Sequence, residues 1–324
     1  MTRVKIGLQF DLRNPEQFQR PINRVYDFAI EVCQEAERLG IDSVWFSEHH
    51  LFADGYLPQP LTFAAAAAAR TSRVRIGTAV LVAALRPAVL VAEEAAVIDQ
   101  LSGGRLELGI GAGYSSPEYE LYNADISKRY GLTDAAVAEI RRLLDDGIVT
   151  PPAAQNPFPI WLGYQGPQGA KRAGRLGVGL LSLDRALLEH YREGLAEGGH
   201  DAANARTGGM LDIIVADDPE AAFDRILPHY AHQLNSYRAA AVAGSGRDAP
   251  KEITVEKLRG GAAQKGQIPG LRVLTPTDAV DAIREATVGA PVEHVYLWAS
   301  VAGMPDDLVE RHVELTCTQV APNL

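Results

Sequence analysis

Short apolar runs alternate with longer amphipathic stretches along the whole chain, and this rhythm constrains the fold more than any other feature. Candidate strands fall at 4–9, 42–47, 74–82, 105–111, 158–163, 177–183, 209–215 and 292–299. Segments with helical spacing of apolar residues lie at 23–39, 61–72, 87–101, 133–146, 168–175, 184–198, 218–240, 277–287 and 306–319. Gly40 closes the first of these, Gly103-Gly104 closes another, and Pro276 with Thr277 opens the last pair. Eight strands, each followed by a helix, predict a closed (β/α)8 barrel, the TIM-barrel architecture. A doubly wound sheet is the competing arrangement, but it usually needs fewer units. No stretch of linker composition divides the first half, so 1–324 reads as one domain.

One segment breaks the rhythm. Residues 241–273, before the eighth strand, are rich in Gly, Lys and Pro and have no clear period. A long insertion of this kind is either a mobile lid over the barrel mouth or an inert, variable loop.

Charge and composition narrow the partners. A net charge of −10 gives no electrostatic footprint for nucleic acid or an acidic membrane surface. The longest apolar run, around Leu61 to Ala69, is too short to span a bilayer. Cys33 and Cys317 lie far apart within helical patterns, as small buried hydrophobes do in a reducing compartment. The chain begins directly with strand-like Val4–Phe10 and shows no basic-then-apolar leader, so a cytoplasmic protein is expected.

Three stretches carry chemistry. In Asp42-Ser-Val-Trp-Phe-Ser-Glu-His-His50 an apolar strand runs into a carboxylate and two imidazoles. Strand ends are where the loops of a parallel barrel converge. Neighbouring strand residues point to opposite faces, so His49 and His50 cannot easily serve one centre, which argues against a two-histidine metal site. Leu108-Gly-Ile-Gly-Ala-Gly-Tyr114 ends the fourth strand but lacks the spacing, position and following acid of a dinucleotide fingerprint. Its glycines either let a ligand approach the backbone or simply fit a tight barrel layer. Ile160-Trp-Leu-Gly-Tyr-Gln-Gly-Pro-Gln-Gly-Ala-Lys-Arg-Ala173 reads strand, turn, helix start, with Lys171 and Arg172 in the first helical turn. Free amides and the positive helix end suit such a turn to phosphate, although ordinary βα loops look alike. His229 and His232 share a helix face, without the third ligand a zinc site requires, so no metal is expected.

Taken together and in order, KIGLQF, GIDSVWFSEHH, VRIGTAVLV, RPAVLVAEEAAVIDQLSGGRLELGIGAG, LGYQGPQGAKRAGRLG, HQLNSY and LTPTDAVDAI resemble the bacterial luciferase-like flavin-dependent monooxygenases over nearly the whole chain. The Glu-His-His at 48–50 looks like the luciferase branch, whereas relatives using a deazaflavin more often carry a single histidine after an aspartate. The resemblance implies reduced FMN at the barrel's C-terminal mouth, delivered by a separate flavin reductase. It further implies molecular oxygen and a small-molecule substrate as reactants, with His49 as the active-site acid/base. Cofactor contacts fall on Glu48, a non-proline cis peptide at Ala79–Val80, Gly111, Ala112, and a phosphate turn of Gln165, Gly166 and Gly169. Where luciferase has a reactive cysteine and then an arginine, this chain reads Gly111 and Ala112, so Arg129 is the candidate substitute. Light emission and an aldehyde substrate do not carry over. The family pairs its subunits through the second and third helices, so a homodimer on Leu61–Arg70 and Val89–Leu101 is expected. The rival readings are a deazaflavin-dependent oxidoreductase on the same fold and a flavin-binding protein without turnover.

Overall fold

The computed structural model describes residues 3–259 and 270–324. Its strands are β1 (Lys5–Phe10), β2 (Ser43–Phe46), β3 (Arg75–Thr78), β4 (Leu81–Val82), β5 (Leu106–Gly111), β6 (Ile160–Leu162), β7 (Gly179–Leu181), β8 (Thr207–Leu211), β9 (Ile213–Val215), β10 (Arg272–Leu274) and β11 (Val292–Trp298). All pairings are parallel. β1, β2, β3, β5, β6, β7, β8 and β11 follow one another around a ring that β11 closes back onto β1. The chain is therefore a (β/α)8 barrel.

Alternation along each strand separates interior from outer core. On β1, Ile6, Leu8 and Phe10 join the large apolar cluster beneath the helices, and on β2 Val44 and Phe46 do the same. The intervening positions face the barrel interior, where Trp45, Trp161, Leu181 and Tyr296 form a separate cluster. Two indoles fit there because the facing strands offer glycine. A Cβ on Gly77 would lie 2.1 Å from the Trp45 ring, and one on Gly179 would lie 2.2 Å from the Trp161 ring. Both indole N–H groups are satisfied, Trp45 donating to Ser43 Oγ at 2.9 Å and Trp161 to Glu107 Oε2 at 2.8 Å. The surrounding helices pack by the expected spacing. The Ile22–Leu39 helix buries Val25, Phe28, Ala29, Val32, Cys33 and Ala36, and Gly40 ends it at φ 97°.

Two of the expected strands are interrupted. The 74–82 run is split into β3 and β4 by a cis peptide at Ala79–Val80, where the resemblance placed it. The 209–215 run breaks at Asp212, where the chain changes partners. β8 pairs with β7 and β11 inside the barrel, whereas β9 leaves it to pair with β10.

The 241–273 segment differs from the expectation of a structureless insertion. Val255–Arg259 forms a short helix, and Arg272–Leu274 is the strand beside β9. Asn235 binds both the N–H and the carbonyl of Ile253 at 2.9 Å, and Arg238 donates to the Lys251 carbonyl at 2.8 Å. These bonds dock 251–253 on the Pro219–Ala240 helix. Residues 260–269, also part of the expected lid, lie outside the described residues. Among the described residues, no helix is long and apolar enough to cross a membrane.

Candidate active site

The C-terminal ends of the barrel strands surround a cavity of about 590 Å³. Glu48, His49, Ala79, Val80, Gly111, Ala112, Arg129 and Gln165 all line it, so the structure gathers most of the residues singled out by sequence. Gly166 begins the Gly166–Arg175 helix beside Gln165. Gly169 is buried one turn further on, where a Cβ would come 2.7 Å from Tyr164 Cβ.

His49 and His50 lie in the loop beyond β2, where strand alternation no longer applies, and their side chains reach different partners. His49 Nδ1 lies 2.8 Å from Glu118 Oε1, and its Nε2 lies 3.4 Å from the Tyr114 hydroxyl. The ring sits among Phe52, Tyr56, Tyr114 and Tyr237. Glu118 is fully buried; its Oε1 also accepts the His50 N–H at 3.0 Å, while Oε2 has no protein partner. A carboxylate on Nδ1 favours the proton there and leaves Nε2 toward the cavity, free to accept or deliver a proton. His50 instead places Nε2 2.8 Å from Glu48 Oε1. Glu48 Oε2 accepts the Val82 N–H at 2.9 Å, and Arg86 also bonds Oε1. Glu48 thus lines the cavity while anchoring the strand that follows the cis peptide.

Glycine placement explains the GIGAG stretch. A Cβ on Gly111 would meet Val80 Cγ2 at 2.3 Å, and one on Gly163 would meet Val80 Cγ1 at 2.7 Å. Gly109 backs onto the Thr78 carbonyl, 2.0 Å from where its Cβ would stand. The glycines admit Val80 between β5 and the end of β6, so the tight-layer reading holds and holds the cis segment at the cavity wall.

At the turn before the Gly166–Arg175 helix, where the resemblance expects a phosphate, Gln165 is the N-cap and makes no side-chain capping bond. The N–H groups of a first helical turn have no partner inside their helix, and Pro167 carries none, which leaves those of Gly166 and Gln168 for a ligand. The cations expected beside them are engaged elsewhere: Lys171 with Glu197 at 2.5 Å, and Arg172 with Asp134. Arg129 lies over the Tyr130 ring at 4.6 Å and does line the cavity.

A buried charged cluster adjoins the mouth. Arg13 Nε donates to Asp54 Oδ2 at 2.7 Å, and His232 Nε2 lies 2.7 Å from the same oxygen. Phe52, Tyr56 and Tyr237 surround the guanidinium at 5.0–5.4 Å. Burial opposes ionisation of Asp54, but the bonds from His232 and Arg13 outweigh it and hold its carboxyl below the usual range. Asp11, also buried, is pushed up to about 6 by burial, against the pull of Arg13. Burial likewise raises the Tyr56, Tyr114 and Tyr237 phenols, which stay protonated. His229 turns away to the Ala302 carbonyl at 3.1 Å and stacks on Phe18. The two helix histidines therefore share no ligand, and no metal-holding cluster exists among the described residues.

Sequence reading missed Glu118, Tyr114, Arg13, Asp54 and Asp212. Glu118 sits on the six-residue Ser116–Leu121 helix, too short to show a period. The Gly-Tyr after the GIGA run was the available pointer to Tyr114.

With this geometry in place, the comparisons with known proteins agree. The family profile described as luciferase-like monooxygenase matches residues 9–285. The chain belongs to that family. It is 30% identical over 219 residues to an F420-dependent glucose-6-phosphate dehydrogenase of Amycolatopsis mediterranei, a match covering 60% of this chain and 65% of that protein. The match thus spans just under two thirds of that relative's length. It is 40% identical over 102 residues to the oxygenase component of a flavin-dependent trigonelline monooxygenase of Acinetobacter baylyi, covering 32% of this chain and 28% of that one. In fold it is similar to the monooxygenase RslO1 from Streptomyces bottropensis, with a TM-score of 0.77, 23% identity and coverage of 98% and 99%.

Proposed function

We propose that this protein is the oxygenase of a two-component flavin monooxygenase, taking reduced FMN from a separate reductase and using molecular oxygen on a small organic substrate. The carrying observation is the single cavity that joins an uncapped helix start, the Ala79–Val80 segment and the His49–Glu118 pair. The residues present fit the group. The Gly166 and Gln168 amides and Arg129 would hold the phosphate, and the Val80 face would back the ring system. Bound there, reduced FMN would supply the electrons that activate oxygen. The chain itself contributes exclusion of water by the tyrosine-rich lining and a proton-accepting nitrogen at His49 Nε2. The Glu-His-His sequence supports FMN, whereas the F420-dependent relative supports hydride transfer to or from a deazaflavin as the second reading. Incorporation of labelled oxygen from O2 into an added organic substrate, dependent on reduced FMN, separates an oxygenase from both that reading and a passive flavin carrier.

The phosphate turn is testable without disturbing the fold. Gly169 is a poor target, since any side chain there strikes Tyr164. Gln165 is exposed, and an acid at a helix start favours the helix itself. Gln165→Glu should therefore fold normally yet weaken FMN binding by about tenfold, about 1.4 kcal/mol. Equilibrium dialysis checks this, and unchanged affinity would remove the phosphate from this turn.

The homodimer reading shifts between helices. The Pro60–Arg70 helix buries Ala64, Ala67 and Ala68 against its own barrel, so its alanines serve mainly intrachain packing. The Ala88–Ser102 helix instead exposes Val89, Leu90, Val97 and Leu101, each 44–52% accessible. We place the self-complementary face there, with Ala66 beside it. Val97→Arg should shift the protein from dimer to monomer at micromolar concentration in sedimentation velocity. A monomer before substitution would end the proposal.

A further inference from the structure

The cavity has a second wall, opposite the elements assigned to the flavin. The Pro219–Ala240 helix contributes Tyr230, Gln233 and Tyr237, at positions i, i+3 and i+7 of one face. Met210 comes from β8, Asp212 from the break between β8 and β9, and Trp298 from the end of β11. Aromatic faces and a thioether dominate this wall, and Asp212 is its carboxylate. Trp298 Nε1 donates to Asp212 Oδ1 at 2.8 Å. Among the described residues no cation pairs with Asp212, and its second oxygen accepts no bond. Burial, opposed by the Trp298 bond and by the charge of Arg272, pushes the carboxyl above its usual range.

We propose that this wall binds a planar aromatic substrate that donates a hydroxyl or amine hydrogen to Asp212. A carboxylate takes bonds only from donors, and a half-buried one with a free oxygen and no cation bonded to it gains from a new donor. The tyrosine and tryptophan faces supply flat apolar area for a ring. A ligand carrying its own carboxylate would set like charges together and be rejected. The inference rests on the flavin reading only in leaving the opposite wall to the cofactor.

The test is calorimetric titration with 2-naphthol and with 2-naphthoate, each with and without FMN, on the wild type and Asp212→Asn. The amide keeps a carbonyl for the Trp298 N–H, so the wall should survive the change. The wild type should bind 2-naphthol at least about tenfold more tightly than 2-naphthoate, and Asp212→Asn should narrow this to about threefold or less. Equal affinities in the wild type, undiminished discrimination in the variant, or no binding of either probe would each overturn the assignment. Failure of FMN to bind while naphthol discrimination persists would overturn the flavin reading alone.

Discussion

His49→Ala is expected to slow turnover by about 10²-fold or more while leaving FMN affinity nearly unchanged, the usual scale for a lost acid/base group. The ring is held by Glu118 at Nδ1 and walled by four aromatic side chains, so little but Nε2 faces the cavity. Glu118→Gln should cost about tenfold through the same atom, because an amide no longer favours the proton on Nδ1. Its mark is a shifted pH profile of kcat with KM little changed. His50→Ala should be milder for turnover, since that ring serves Glu48 and the segment behind it. Stopped-flow kinetics on the three variants gives the ranking. Greater loss in His50→Ala than in His49→Ala would reverse the assignment of the two histidines.

Asp11→Asn is expected to stabilise the protein at pH 7.5 and to leave it unchanged at pH 4. Asp11 has a carboxyl at about 6 in the folded chain against 3.8 ordinarily, because burial penalises its charge. The folded state holds that proton more tightly, so the stability Asp11 contributes is complete below about pH 4 and is lost as pH rises through 6. At 1.36 kcal/mol per pH unit, the loss is on the order of 3 kcal/mol. An asparagine carries no charge to bury, and Arg13 keeps its Asp54 partner at 2.7 Å. Thermal melts across pH 4 to 8 would show the gain appearing between those limits. A variant less stable at pH 7.5 would mean that the Asp11–Arg13 attraction exceeds the burial cost.

The barrel was legible because parallel strands covered on both faces appear as continuous apolar runs, and all eight ring strands fall within or against the runs read from sequence. Short pieces were not legible. β10 has three residues and the Ser116–Leu121 helix six, too few to display a period. The change of partner at Asp212 is also hidden, because one aspartate inside an apolar run does not announce that the strand leaves the barrel. Site residues adjacent to strand ends, such as His49 and Gln165, were visible through local pattern and resemblance. Their supports were not: Glu118 lies 69 positions from His49, and His232 lies 178 from Asp54. Only the closing of the ring brings those pairs together. From sequence the glycines of β5 carry two meanings, and the bulk of Val80 supplies the packing one.

The most direct measurement is an anaerobic titration of the protein with reduced FMN and, separately, with reduced F420, followed by admission of oxygen. The account predicts stoichiometric binding of reduced FMN at least about tenfold tighter than of F420, and oxygen uptake by the FMN complex at a rate distinct from that of free reduced FMN. Tighter binding of F420, or an FMN complex inert to oxygen, would contradict it.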